Sequence, residues 1–454
     1  MTTLTQIKPA SEKSRILPIW QSVRIGKISL SGIVCGAFLI RALVAIFCFA
    51  GVANPDRHFG DFGGEMGWVA RSITLGHGFS SPFYPSTGPT ALMPPLYPYL
   101  LAGVFHLFGL YSRQSAFVIL MVDSLFSSLT CIAVYLCVKS TVGNRAARLA
   151  AWLWALYPLS IYYSGAWVWD YAITSCLFAF SFYFAQRIHL QSRLLGWLGF
   201  GVLYGAAALS NPSVLSVFPF LLLLAVWRVR RVGGSWLTRG AAAVVGLLLI
   251  TTPWSIRNER AMHASVPMRD GFWLEFWAGN HGDTSDSNPP SAHPATNPVE
   301  MQKWESMGEI AYLESKHLMA IDYVTHHPGE FAVTTARRAL RFWTGIWSFE
   351  PDYLRSQPFE IPGILFCTVV TALMLVGVFR WSREDFSHFL PYLLVLLVFP
   401  VTYYLTHSSM DYRQPIEPEA IILVAVGIAG FRNTSARDGQ VAEVDEDELL
   451  EAAF

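Results

Sequence analysis

The chain has 454 residues, is 53% hydrophobic and only 14% charged, about half the charge of a soluble domain. That excludes an ordinary soluble globular protein and points to a polytopic membrane protein. The formal net charge of zero gives no bulk electrostatic reason to bind nucleic acid or an acidic partner.

Residues 1–27 are polar and basic, and read as a cytoplasmic N-terminus. A first span follows at 28–52, with Arg41 near its middle. A charge at that depth needs a partner, and Asp123 in the next span is the candidate. Further apolar runs lie at 116–138, 149–166, 171–186, 195–210, 213–228, 240–255, 361–379, 387–406 and 416–431. The expectation is an all-α protein with about ten transmembrane helices, with surface helices in the first outer loop and a larger outer-face region. The six cysteines sit singly inside apolar segments and read as small apolar fillers.

The run Leu96–Leu110 is apolar but only about 15 residues long, short of the roughly 20 that cross a bilayer. Charge decides its place. If it does not span, the short loops at 139–148, 187–193, 228–239, 380–383 and 432–437, all rich in Arg, face the cytoplasm. The opposite short loops then hold Arg413 as their only Lys or Arg. The segment is therefore expected to lie flat or half-inserted on the outer face. The organisation that follows is a cytoplasmic 1–27, a transmembrane module at 28–255 with outer loop 53–115, an outer-face region at 256–360, C-terminal helices at 361–431 and an acidic cytoplasmic tail at 432–454. In the outer-face region, Trp304, Met307, Ala311 and Leu318 predict one helix running to His327, and 281–298 reads as a Pro-rich mobile loop.

The chemistry-bearing residues collect at the outer side. Asp61 and Glu65 precede a short amphipathic segment in which Met66, Val69 and Ile73 are expected to face the lipid boundary. Glu65 reads either as a first-turn acid favoured by the helix dipole or as a general base at the membrane surface. Asp170 is the only charge in its short loop, either a helix cap or a further carboxylate for the site. Arg257, beside Asn258, and Arg413 are cations at headgroup level, either snorkelling or binding phosphate. His326–His327 before Pro328 read as a helix end, and no HExxH, P-loop, GxSxG or dinucleotide fingerprint is present.

The order of several pieces resembles a known family. An acidic first outer loop is followed by VARSITLGHGFS, then TGPTALMPPLYPYLLAGVFHLFG, TPWSIRN, FWAGN ending at Asn280, HPGEF at 327–331 and DYRQPIEP. This resembles the GT-C membrane glycosyltransferases, nearest to the branch of dolichyl-phosphate-mannose protein mannosyltransferases and aminoarabinose transferases. The resemblance implies a polyprenyl-phosphate-linked sugar donor, an acceptor protein, lipid or glycan, and transfer on the outer (periplasmic or extracellular) face of the inner (plasma) membrane, in contact with membrane lipids and without nucleic acid. It implies that the first outer loop supplies the essential acid. Many members carry an adjacent Asp-Glu pair there; this chain has Asp61 and Glu65 separated by FGG, and Glu65 is the first choice. Where some relatives place a phosphate-binding Lys, this chain has Met93, which turns attention to Arg257 and Arg413. Asn258, Asn280 and Tyr97 of PPLYP complete the candidate substrate- and phosphate-binding set. No cofactor is assigned, and a divalent metal is left open, which Asp61, Glu65 and Asp170 could hold only if the fold brings them together. A lipid or sugar transporter that breaks no bond is the alternative function, and a non-catalytic scaffold a third.

Overall fold

The computed structural model describes residues 29–53, 62–83, 86–282, 292–345 and 360–430. The expectations for the N-terminus, Asp61, most of the Pro-rich loop and the acidic tail fall outside the described residues. Among the described residues the structure is helical, with a single isolated bridge between Ser80 and Pro89.

Among the described residues, six helices are long and apolar enough to cross a membrane: Leu30–Val52, Arg113–Lys139, Pro212–Arg231, Trp236–Met262, Ile361–Glu384 and Phe386–Leu405. The other expected spans are shorter or broken. The run 149–166 divides into Asn144–Ala155 and Pro158–Gly165, because Pro158 cannot donate to the preceding turn and starts a new helix instead. The last run contributes only Glu417–Ala429. Leu96–Phe108 is a 13-residue helix, about 20 Å long, which is too short for a hydrocarbon core of about 30 Å.

We label the first helices α1 (Leu30–Val52), α2 (Gly64–Thr74), α3 (Leu96–Phe108), α4 (Arg113–Lys139), α5 (Asn144–Ala155), α6 (Pro158–Gly165) and α7 (Tyr171–Arg187). Ser29 and Ser112 cap α1 and α4 by accepting from the amides of Gly32 and Ser115. The two helices then pack side by side. Arg41 of α1 is fully buried but does not pair with Asp123. Its guanidinium donates to the carbonyls of Trp154 (3.1 Å) and Ala155 (2.8 Å) and to the hydroxyls of Ser127 (2.9 Å) and Ser160 (2.7 Å). The break after α5 presents its last carbonyls at the negative end of the helix dipole, where that of Trp154 also accepts from the Tyr157 amide, and a cation sits there. Asp123 accepts from Tyr97 instead, at 2.7 Å.

The next helices are α8 (Leu194–Ser210), α9 (Phe218–Arg231) and α10 (Trp236–Met262). The α8–α10 contact is built on glycine. A Cβ at Gly201 would lie 1.9 Å from the Ala243 carbonyl oxygen, one at Gly205 would lie 2.2 Å from Ile250, and one at Gly246 would lie 2.1 Å from the Leu198 carbonyl. Close approach of small residues is how helices pack in lipid, where apolar burial alone gives little preference for protein over solvent. Gly201→Ala is expected to push the helices apart and cost about 1–3 kcal/mol. A clear fall in the thermal midpoint of the detergent-solubilised protein checks this; an unchanged midpoint would contradict the packing.

Residues 256–345, expected on the outer face, contain α11 (Phe272–Gly279), α12 (Pro298–Met307), α13 (Glu309–His326) and α14 (Pro328–Thr344). The single helix expected through Trp304 and Leu318 is two, because Gly308 adopts φ 76° and turns the chain between them. The helix ends at His326, as expected, and a further helix starts at Pro328. The chain finishes with α15 (Glu360–Glu384), α16 (Phe386–Val398), α17 (Val401–Leu405), a 3-10 turn at Met410–Ile416 and α18 (Glu417–Ala429).

Among the described residues there are two buried apolar clusters. One fills the helical bundle around Trp154, Trp197, Trp381 and Tyr392. The other joins Met66 and Val69 of α2, Tyr97 and Leu101 of α3, Trp254 of α10, Leu274 of α11, and Trp304 and Tyr312 of the outer region. The described part of 62–110 and residues 256–345 thus share one core, which fixes each against the other. This corrects the expected lipid-facing role of α2: Met66 and Val69 are buried within the protein, and only Ile73 is partly exposed.

Candidate functional site

The glycines around Glu65 explain the FGG spacer. Gly63 (φ 89°) and Gly64 (φ 51°) take left-handed conformations that turn the chain into α2. A Cβ on Gly64 would strike the Trp169 ring at 2.8 Å, and one on Gly67 would strike the Phe62 carbonyl at 2.1 Å. The backbone can therefore sit close against the Trp169–Asp170 segment. Glu65 occupies the first turn of α2, as the sequence predicts.

Glu65 opens into a cavity of about 530 Å³. Asp170, Arg269, Glu275, His293 and His407 line it as well, with Trp169, Tyr403 and Tyr412 adding aromatic surface. The sequence separates these residues by up to several hundred positions; the fold gathers them at the junction of bundle and outer region. His293 Nε2 lies 3.9 Å from Glu65 Oε1. Glu275 stands between Arg269 Nη2 (3.6 Å) and His407 Nδ1 (3.5 Å), and His407 Nε2 is 2.6 Å from the Tyr412 hydroxyl.

Burial sets the proton affinities. It raises the Glu65 carboxyl above its ordinary value, opposed by His293 and, more weakly, Arg269. It raises Asp170 from 3.8 to about 7, against hydrogen bonds from Thr174 and Asn211 and the charge of Arg269. It lowers His407, opposed by Glu275, so the ring is biased toward the neutral form. Asp170 can therefore exchange a proton near neutral pH, and the guanidinium of Arg269 beside the two carboxyls can hold an anion. Asp170 precedes α7 but its side chain makes no cap bond to the helix backbone; it accepts from Thr174 Oγ1 at 3.2 Å.

The raised Asp170 value has a stability consequence. Between pH 4 and about 7 the folded state keeps a proton that the unfolded state has released. Folding stability contributed by this group therefore falls as pH rises through that window and is level above it. Asp170→Asn is expected to flatten that share of the slope and to be at least as stable as wild type at neutral pH. Thermal midpoints across the window check it; parallel curves for the two proteins would refute it.

Among the described residues, the remaining expected site residues do not line the cavity. Arg257 donates to the carbonyls of Thr90 (2.6 Å) and Phe79, and its guanidinium lies over Phe79 and Trp254. It pins the first outer loop to α10. Asn258 is fully buried and donates to the carbonyls of Val266 (3.1 Å) and Met268 (3.3 Å), just ahead of Arg269. Asn280 donates to Phe276 (2.8 Å) and Leu405 (2.9 Å), and accepts from Arg338 (3.1 Å). Arg413, 1% exposed, pairs with Glu417 through two contacts of 2.9 Å and donates to the Trp343 carbonyl at 2.8 Å. Tyr97 is taken up by Asp123. These side chains are spent on internal partners, and their effect on the cavity is to hold its walls.

Arg269, Glu275, His293 and His407 are the residues that sequence reasoning misses. Glu275 is visible as the lone acid of GFWLEFWAGN, and His407 as the lone histidine of the short outer loop before DYRQPIEP. His293 sits in a stretch that reads as mobile loop. The described part of that stretch is an ordered turn leading to α12, whose first turn is capped by Asn297. Among the described residues no three His, Cys, Asp or Glu side chains converge as metal ligands; Asp61, part of the set considered for a metal, lies outside them.

A family model described as dolichyl-phosphate-mannose-protein mannosyltransferase matches residues 93–256. Among solved structures, the archaeal oligosaccharyltransferase AglB from Archaeoglobus fulgidus, in complex with an inhibitory peptide and a dolichol-phosphate, is similar with a TM-score of 0.52. The identity is 14%, over 87% of this chain and 50% of that one. An apo form of the Archaeoglobus fulgidus oligosaccharyltransferase gives 0.51 at 15% identity, over 89% and 50%. ArnT from Cupriavidus metallidurans, bound to undecaprenyl phosphate, gives 0.36 at 15% identity, over 87% and 77%. No curated protein matches the chain significantly. The chain spans about half the length of the oligosaccharyltransferase structures it matches. It is an integral membrane protein with the GT-C fold, and its residues 93–256 resemble the dolichyl-phosphate-mannose-protein mannosyltransferase family.

Proposed function

We propose that this protein is a membrane glycosyltransferase that moves a sugar from a polyprenyl-phosphate donor to an acceptor hydroxyl, on the outer face of the membrane. The observation that carries this reading is the meeting of Glu65, Asp170 and Arg269 in one cavity where the bundle joins the outer region. The matched family supports the donor class, and the arginine-rich short loops support the orientation.

The reaction is a single displacement. The Glu65 carboxylate takes the proton of the acceptor hydroxyl as that oxygen bonds to the anomeric carbon. The bond from that carbon to the phosphate oxygen breaks, and the lipid phosphate leaves with the electron pair, its charge met by Arg269. Asp170 orients the sugar or acceptor hydroxyl, and Trp169 and Tyr403 offer faces for the sugar ring. Asp61, four residues ahead of Glu65, is the second carboxyl assigned to this loop. Arg269 replaces Arg257 and Arg413 as the phosphate contact, since both of those are held by other partners.

The test is purified protein in lipid nanodiscs with a radiolabelled polyprenyl-phosphate sugar. Cavity-dependent release of free polyprenyl phosphate is expected. Movement of intact donor across vesicles with no bond cleavage would overturn the reading in favour of a transporter.

A further inference from the structure

We propose that His293 is the positioning residue for Glu65, holding a hydrogen on Nε2 toward the carboxylate. The inference rests on the reading of Glu65 as the base. The far side of the ring fixes the tautomer. The amide of Ala295 donates to His293 Nδ1 at 3.2 Å. An amide can only donate, so Nδ1 accepts, and a neutral imidazole must then carry its hydrogen on Nε2. That nitrogen is the one 3.9 Å from Glu65 Oε1.

The ring has little freedom to turn away. His293 is buried, and its edge stands against Phe83 with centroids 5.5 Å apart and planes at 88°. Its carbonyl accepts from the amides of Thr296 (3.1 Å) and Asn297 (2.9 Å), which closes a tight turn before α12. Phe83 in turn packs on Trp304 of α12. The donor is thus mounted on the shared core rather than on a free loop. At 3.9 Å the contact is about 1 Å longer than a formed hydrogen bond, as catalytic contacts often are before substrate binds.

The chemical use follows from what else faces Glu65. Arg269 is the nearby cation, Glu275 and Asp170 are acids, and His407 is the other imidazole. Burial favours the protonated carboxyl, which cannot act as a base. A neutral N–H donor favours the ionised form without adding a full charge, and so leaves the carboxylate basic enough to take a proton. Glu65 is then poised by an N–H on one side, with the charge of Arg269 adding more weakly in the same direction.

The test reads Glu65 directly. Infrared difference titration of the nanodisc-held protein follows the carboxyl band that disappears in Glu65→Gln. His293→Phe keeps the ring but loses the donor, and is expected to raise the Glu65 midpoint by about one pH unit or more. His293→Gln keeps an N–H donor, and is expected to stay near wild type. If Phe does not fold at this position, His293→Leu serves the same comparison. An unmoved midpoint in the donorless variant overturns the proposal, and equal shifts in the donorless and Gln variants overturn it in favour of simple packing. These results do not depend on turnover. Full transfer activity in Glu65→Gln would instead remove the base assignment and leave the measured His293–Glu65 coupling standing.

Discussion

Glu65→Gln is expected to lower transfer by about 10³-fold while leaving the donor KM within a few-fold. General base catalysis contributes roughly 10²–10⁴-fold, and the substitution removes the base without changing the shape of the side chain. Binding is largely untouched, because the donor phosphate is assigned to Arg269 across the cavity. Folding should not suffer. Burial already raises the proton affinity of Glu65, so the folded state favours the neutral form, and Gln is neutral at every pH. The thermal midpoint at neutral pH is expected to equal or exceed that of wild type. The measurement is a kcat and KM pair for the variant, with a melting curve on the same preparation. Wild-type turnover would remove Glu65 from the mechanism, and a collapsed melting curve would mean that the glycine-built turn at Gly63–Gly64 depends on the acid.

Arg269→Ala is expected to have its main effect on the donor. Losing hydrogen bonds between a guanidinium and a charged oxygen costs about 1.5–3 kcal/mol, or roughly 10- to 150-fold in donor KM. Arg269→Lys keeps the charge but not the fork, and should fall between. A second effect separates this residue from a purely structural one. The charge of Arg269 holds down both Glu65 and Asp170, so its loss should move the acidic limb of the pH–rate profile to higher pH. Arg257→Ala gives the contrast. It frees the carbonyls of Phe79 and Thr90, and is expected to make the first outer loop more open to proteolysis with no shift of that limb. A donor KM that rises for Arg257→Ala and not for Arg269→Ala would reverse the assignment.

The membrane class and the position of Glu65 are legible in the amino-acid sequence. Lipid leaves the backbone no choice but internal hydrogen bonding, so a long apolar run is a helix wherever it occurs. Glu65 stands out because glycines precede it and an amphipathic pattern follows it, and both are local facts. Asp170 stands out as the lone charge of a short loop. The number of spans is less legible, since Pro158 splits one run and only 13 residues of the last are helical.

The arginines show where local reading stops. Arg257 and Arg413 lie at a plausible depth, but depth does not say which partner a cation meets. For Arg413 the partner is one helical turn away, at Glu417, a spacing that can be read from the chain. For Arg257 it is a pair of backbone carbonyls about 170 positions distant, which no pattern reveals. Arg41 has an acid in the next span, Asp123, and meets the carbonyl end of α5 instead.

The cavity itself has no signature in one dimension. Arg269 is aimed by Asn258 gripping the carbonyls of Val266 and Met268, and His407 follows a segment held by Asn280 and Arg338. Each clamp is a buried polar group finding its partner across a long stretch of chain. Length and apolarity are sums over neighbouring residues, so the chain alone specified a helical membrane protein with an acidic outer loop. Which carboxyl faces which cation depends on helices packed through glycine and on hydrogen bonds between distant segments, and those distances exist only in the folded molecule.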